Sequence, residues 1–205
     1  MNPRSLSRLA GGSYVIIFFA AIFANFFVLD ALLTAPVQTT ELHNFSVRLG
    51  IIAFMVTAIF DVIVAWALYE LFKTHTLSLL STLFRMMHAA IMGMAVFALV
   101  NTLSSTTAQA ILEQVHVFNT IWLIGLFFFG IHLILLAKIL KRPKWIAIFL
   151  TIAGIMYILD TTAHVVMPNY DTYADVFLIL VAIPSILGEM ALALWLLIKG
   201  GKQYQ

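Results

Sequence analysis

The sequence predicts an all-α protein, a six-helix transmembrane bundle with both termini cytoplasmic, and three observations carry that reading. The 205-residue chain is 63% hydrophobic and 10% charged, with a mean hydropathy of +1.05, whereas a water-soluble domain is roughly 45–50% apolar and about 25% charged. A chain of this size folded in water still needs a polar skin, so this apolar surplus calls for lipid as the solvent. The apolar residues also gather into six runs, each near the ~20 residues that carry a helix across a hydrocarbon core. Finally, the basic residues sit at the ends of those runs, almost all on one side.

The runs fall at about 13–33, 48–72, 77–100, 117–140, 145–167 and 173–198, within one membrane domain, 1–205. Backbone groups in hydrocarbon must be bonded within their own segment, which selects continuous helices; the period-2 alternation of a barrel is absent. Before the first run, Arg4 and Arg8 resemble the head of a signal peptide. The apolar stretch that follows exceeds the ~7–15 residues of a cleaved core, and no small-x-small site closes it, so a retained first helix is expected. Breakers separate the runs: Pro36, the polar stretch NTLSSTT at 101–107, the tight KRPK connection at 141–144, and PNYD at 168–171. The mixed-polarity segment 108–117 reads as a short interfacial helix ahead of the fourth span. Ala89 and Gly93, four apart, would allow close helix approach. Met86, Met87, Met92, Met94 and the phenylalanines of GLFFFG at 125–130 read as packing or lipid-facing residues.

Orientation follows from the loops. Arg4, Arg8, Lys73, Lys138, Lys141, Arg142, Lys144, Lys199 and Lys202 share one side; only Arg48 lies on the other, with Asp30, Glu41, Glu113, Asp171 and Asp175. The positive-inside rule makes the basic side, and both termini, cytoplasmic. Trp66, Trp145 and Trp195 approach that side and Trp122 the other, as interfacial aromatics do. The expected home is a bacterial cytoplasmic membrane. The net charge of +2 and pI near 9.0 thus report topology rather than nucleic-acid binding. Without cysteine, disulfides and thiolate chemistry are excluded. An even number of spans permits a three-plus-three inverted arrangement, although no internal repeat supports it.

Chemistry must then come from polar groups inside the spans, which are costly in lipid. At a rise of ~1.5 Å per residue from the basic side, Arg85 and His132 lie about 12 Å deep, Glu189 about 15 Å, and Asp61 and His88 about 16 Å. Five ionisable groups on four helices therefore share one layer. Arg85 and His88, three apart, occupy one helix face; Asp160 and His164, four apart and farther out, form a second polar cluster. Pro184 frees a backbone carbonyl near Glu189 and suits a kinked, cavity-forming helix. One reading of Asp61, Arg85 and Glu189 is an ion-paired pin that fixes helix register. The other is a pocket for a proton, an ion or a small ligand. Of the histidines, His88 and His132 could ligate a haem axially, or bind zinc or iron with Asp61 or Glu189. The alternative is that these two, His116 and His164 bond to helix backbones, Asp160 or Tyr157; no compact ligand motif is present. His43 and His75 are solvated loop residues.

Several of these positions recur in short motifs: Arg48-Leu49-Gly50, Phe60-Asp61-Val62, Phe84-Arg85, Phe129-Gly130-Ile131-His132, Tyr157-Ile158-Leu159-Asp160, Pro168-Asn169-Tyr170 and Gly188-Glu189. Through them the chain resembles a bacterial membrane-protein family known as a domain of unknown function, DUF 4386. The resemblance implies six helices and transfers no catalytic role. Three functions follow: a binding protein or transporter using the midplane layer; a membrane enzyme using metal or haem; a non-catalytic subunit or sensor. Lipid is the one partner the composition demands. A small molecule or ion is expected only in the first case.

Overall fold

The computed structural model describes residues 1–140 and 143–200. Among these every regular element is helical: α1 (Pro3–Ile22), a π-helical stretch (Phe23–Leu29), α2 (Asp30–Thr34), α3 (Pro36–Leu42), α4 (Asn44–Phe72), α5 (Ser78–Thr102), α6 (Ala108–Ile139), α7 (Lys144–Val166), a 3₁₀ turn (Tyr170–Thr172) and α8 (Ala174–Ile198). Six spans result, because α1, the π stretch and α2 form one continuous helix, Pro3–Thr34. Their lipid-ready surface is plain in the side chains: Phe19, Phe26, Met94, Phe97 and Ile198 all point outward and are exposed. Hydrocarbon, unlike water, imposes no penalty on such a surface.

Three boundaries differ from the sequence expectation. The first helix begins at Pro3, ten residues ahead of the apolar run, with Asn2 capping the Ser5 amide at 2.7 Å. The anticipated interfacial helix at 108–117 is simply the first part of α6, capped by Thr107, because Ile111 and Val115 are fully buried against the bundle. The first loop is largely helical as well, folded into α3 after Pro36. Lys141, Arg142 and Lys202, three of the topology-setting residues, lie outside the described residues.

The spans form a closed ring in which each packs on its sequence neighbour and α8 returns to α1. Small residues set the tightest crossings. A Cβ on Gly130 or on Gly154 would come within 2.5 Å of the other's carbonyl, so α6 and α7 meet backbone to backbone there. Gly11 is pressed in the same way against Ala193 and Leu197 of α8. Gly93 is not such a contact: a Cβ there would meet nothing within 4 Å, which corrects the expectation for the Ala89–Gly93 pair. The ring is closed at one end by Arg4, whose guanidinium donates to the carbonyls of Leu197 (2.6 Å), Gly200 (2.7 Å) and Leu196 (3.3 Å). Ser7 donates to Leu196 as well, at 2.9 Å. These are the orphan carbonyls that end any helix, here satisfied by the opposite end of the chain. Two apolar cores lie on either side of the polar layer. The one near the chain ends draws on α1, α4, α6, α7 and α8. The other uses the π stretch, α2, α4, α5 and α6 but no residue of α7 or α8.

Candidate functional site

Arg85 is the centre of the molecule. It is 1% exposed, the largest fully buried side chain, and it lies in a span where its charge must be met by partners. Its Nη2 donates to Asp61 Oδ1 of α4 at 2.5 Å. Its Nη1 donates to the Tyr14 hydroxyl of α1 at 2.6 Å and to His132 Nε2 of α6 at 3.2 Å. The guanidinium carbon also sits 4.6 Å from the Tyr14 ring centre and 5.2 Å from that of Phe129, so aromatic faces supply cation–π stabilisation where hydrogen bonds do not reach.

The histidines are fixed by this network. A guanidinium only donates, so His132 Nε2 must accept, which assigns the neutral tautomer with the proton on Nδ1. That proton points to the Ser81 carbonyl oxygen at 2.9 Å, and the Ser81 hydroxyl crowds the same nitrogen. His88 Nε2 stands 3.5 Å from Asp61 Oδ2, so the two Asp61 oxygens serve two different partners. Three buried polar atoms have no hydrogen-bond partner among the described residues: Arg85 Nε, His88 Nδ1 and Ser13 Oγ. Gly125 lies against the second. A side chain there would crowd His88 Nδ1, at 3.2 Å from the added Cβ.

The expected layer is therefore assembled, with one revision. Asp61, Arg85, His88 and His132 interlock, whereas Glu189 does not pair with Arg85; among the described residues it forms no ion pair. Glu189 is half-buried on α8, with Tyr157 of α7 beside it, and the Ser185 hydroxyl one turn earlier donates to the Ala182 carbonyl at 3.1 Å. Arg85, Asp61 and Tyr14 act on it only through space. The second cluster is also organised differently. Asp160 accepts a 2.6 Å hydrogen bond from the Tyr170 hydroxyl, and His164 meets the edge of that same ring at 4.5 Å, so Tyr170 rather than a direct contact joins them. The Tyr170 ring stacks in turn on Phe177. Burial, then the hydrogen bond to Asp160 and its charge, holds the Tyr170 phenol above the usual tyrosine range. His116 is exposed on α6, away from the layer.

The candidate donors His88 and His132 are in part already committed within the network. No three His, Asp or Glu groups converge among the described residues. Both His132 nitrogens are engaged, Nε2 by the Arg85 guanidinium and Nδ1 by the Ser81 carbonyl, so neither offers a free lone pair to a metal. The Phe129 ring packs on both His88 and His132, with centroids at 4.8 and 5.7 Å.

Tyr14, Ser81, Phe129 and Tyr157 are members of the site that residue cost alone did not single out. Tyrosine and serine are cheap in a span, and only their positions opposite Arg85, His132 and Glu189 reveal a role. With them, each of the six spans contributes a side chain to this centre.

The fold and the centre together define a multi-pass integral membrane protein built as a closed six-helix ring around a buried charged core. The family model described as "Domain of unknown function (DUF4386)" matches residues 9–200, and the chain belongs to that family. It is similar to an "Uncharacterized protein" of Archaeoglobus fulgidus, 32% identical over 159 residues that cover 75% of this chain and 85% of that protein. That relative is archaeal, and neither match places this chain in a bacterium. No solved structure matches.

Proposed function

We propose that the protein is a proton- or small-ion-binding membrane protein, and a transporter by that means, whose working group is Glu189 and whose Asp61–Arg85 pair is the fixed charge against which it works. The observation that supports this reading is the asymmetry of the layer. Arg85, Asp61, His88 and His132 are buried and mutually engaged, while Glu189 alone is partly accessible and has no cation of its own among the described residues. An intramembrane carboxylate without a counter-ion must bind a proton or a cation to lower its cost. In this reading residues 1–205 act as one membrane domain with both termini in the cytoplasm of a cytoplasmic membrane, as the basic loops favour. Purified protein in proteoliposomes should carry a proton or monovalent-cation flux that Glu189→Gln abolishes. An unchanged flux in that variant, or none in either protein, refutes it.

A second reading, a non-catalytic subunit with the layer as a pin, draws on how completely Asp61 and Arg85 satisfy each other. It expects Glu189→Gln to be silent and Arg85→Ala to unfold the protein.

A further inference from the structure

We infer that the groove between the start of α7 and the end of α8 is a binding site for one anionic phospholipid, drawn from the leaflet on the chain-end side. The inference stands apart from the role proposed for Glu189. The two helices touch at Gly188, where an added Cβ would meet the Leu150 amide nitrogen at 3.1 Å and Phe149 at 3.2 Å. Between that crossing and the membrane face they leave a groove of about 460 Å³, lined by Trp145, Ile146, Ala191, Leu194 and Trp195, with Lys199 at the end of α8. Ile146 is fully buried, whereas Trp145 and Leu194 are each about half exposed. The volume falls within the roughly 300–1,000 Å³ of small-molecule sites. Along α8 the lining runs from Ala191 to Lys199, about 12 Å at the helical rise. One leaflet holds about 15 Å of hydrocarbon, so this length suits an acyl chain. A spanning helix of a second copy would instead pack along the full ~30 Å.

Charge selects the lipid. Lys199 lines the groove, and exposed Lys144 opens the adjoining face of α7 beside Ala147, Ile148 and Thr151. Among the described residues no acidic side chain lines either face, and the first turn of α7 holds none. Pro143, at the N-cap, offers no side-chain bond to the first amides of α7, so the positive end of a 23-residue helix lies at the membrane face. The end of α8 would oppose an anion with its own bare carbonyls. Here Arg4 takes those of Leu196, Leu197 and Gly200, which offsets that repulsion and leaves Lys199 unopposed. Trp145 and Trp195 add indole N–H donors at the depth of phosphate and ester oxygens, as interfacial tryptophans do. The opposite ends of the same two helices lack this set. Residues 160–183 carry Asp160, Asp171 and Asp175 and neither lysine nor arginine, so an anionic headgroup is favoured on one leaflet only.

Tryptophan quenching by brominated lipid reads this occupancy. The protein would be placed in phosphatidylcholine vesicles in which a minority lipid, either phosphatidylglycerol or phosphatidylcholine itself, carries brominated acyl chains. The groove signal is the difference between wild type and the Trp145→Phe, Trp195→Phe protein. Each basic residue near an anionic headgroup is worth about fivefold in association, so brominated phosphatidylglycerol should bind there at least about fivefold better than brominated phosphatidylcholine. Lys144→Gln with Lys199→Gln should bring the two lipids level; both side chains are exposed, so the exchange leaves the bundle intact. Lys73→Gln, at the end of α4 and paired with Glu70, is the control that should keep the preference. Native mass spectrometry gives a second reading free of the tryptophan variants: one phosphatidylglycerol retained per chain, and lost in the double lysine variant. A preference that survives that variant, or falls equally with Lys73→Gln, overturns the site in favour of a diffuse basic belt. Equal quenching by the two lipids overturns the anionic selection. Groove quenching by neither shows protein seated there, a second copy or the chain's own end, and overturns the inference altogether.

Discussion

Two carboxylates in this protein are equally hidden and are answered by opposite kinds of partner. Asp61 and Asp160 are both buried, and each belongs to a network containing a tyrosine hydroxyl. Asp61 lies where α1, α4, α5 and α6 converge and answers a full positive charge. Asp160 lies at the end of α7 and answers a neutral phenol presented by the connection ten residues on. The contrast teaches that the cost of a polar group in a membrane depends on what else can reach it. Near a bundle end, one loop residue suffices. At the centre, a ring of helices must close correctly before the charge is met, and the network therefore reports on the whole fold.

The sharpest way to break that comparison is Arg85→Ala. It strands Asp61 in hydrocarbon and should cost about 3–5 kcal/mol, as loss of one partner of a buried pair does, seen as a collapse of the thermal midpoint in detergent. The Asp61→Asn, Arg85→Gln double variant should recover much of that loss. Next comes Gly154→Ala. Its methyl would meet the Gly130 carbonyl and Ile134 at distances real side chains do not tolerate, so α6 and α7 must part, at about 1–3 kcal/mol. The same measurement on Gly93→Ala, where space is open, should move stability by no more than about 0.5 kcal/mol.

Tyr170→Phe tests the other side of the comparison. Removing the hydroxyl should cost about 1 kcal/mol. The wild type should also show a pH signature that the variant lacks. Because the folded protein holds the phenol proton more tightly than the unfolded chain, this contribution is intact below the ordinary tyrosine value near pH 10 and is lost as pH rises above it. A titration of stability between pH 8 and about 11 should show wild type approaching the variant from above.

The helices were legible because each apolar run is a local property, and lipid leaves a run of that length only one backbone solution. Their ends were less so. Residues 3–12 are helical because Gly11 and Arg4 dock on the far end of the chain, a contact some 190 residues away in sequence. The charged residues of the site announced themselves by cost, and Asp61, Arg85, His88 and His132 did converge. The pairing did not follow from charge. With two carboxylates and one guanidinium at similar depth, Glu189 and Asp61 were equivalent on paper, and only the packing order of the ring put Asp61 in contact and left Glu189 apart.

By itself, then, the sequence determined the solvent, the number of spans and which residues could not be left alone in it, since those depend on composition and on helical rise. The tertiary structure alone decided which partner each charge found, that Tyr14, Ser81 and Phe129 belong to the centre, and that α8 stands away from the outer core. Those outcomes depend on which helix faces meet. Hydrocarbon, attracting every apolar face equally, gives the sequence little say in that choice; small residues such as Gly130 and Gly154, and the few polar groups seeking partners, settle it.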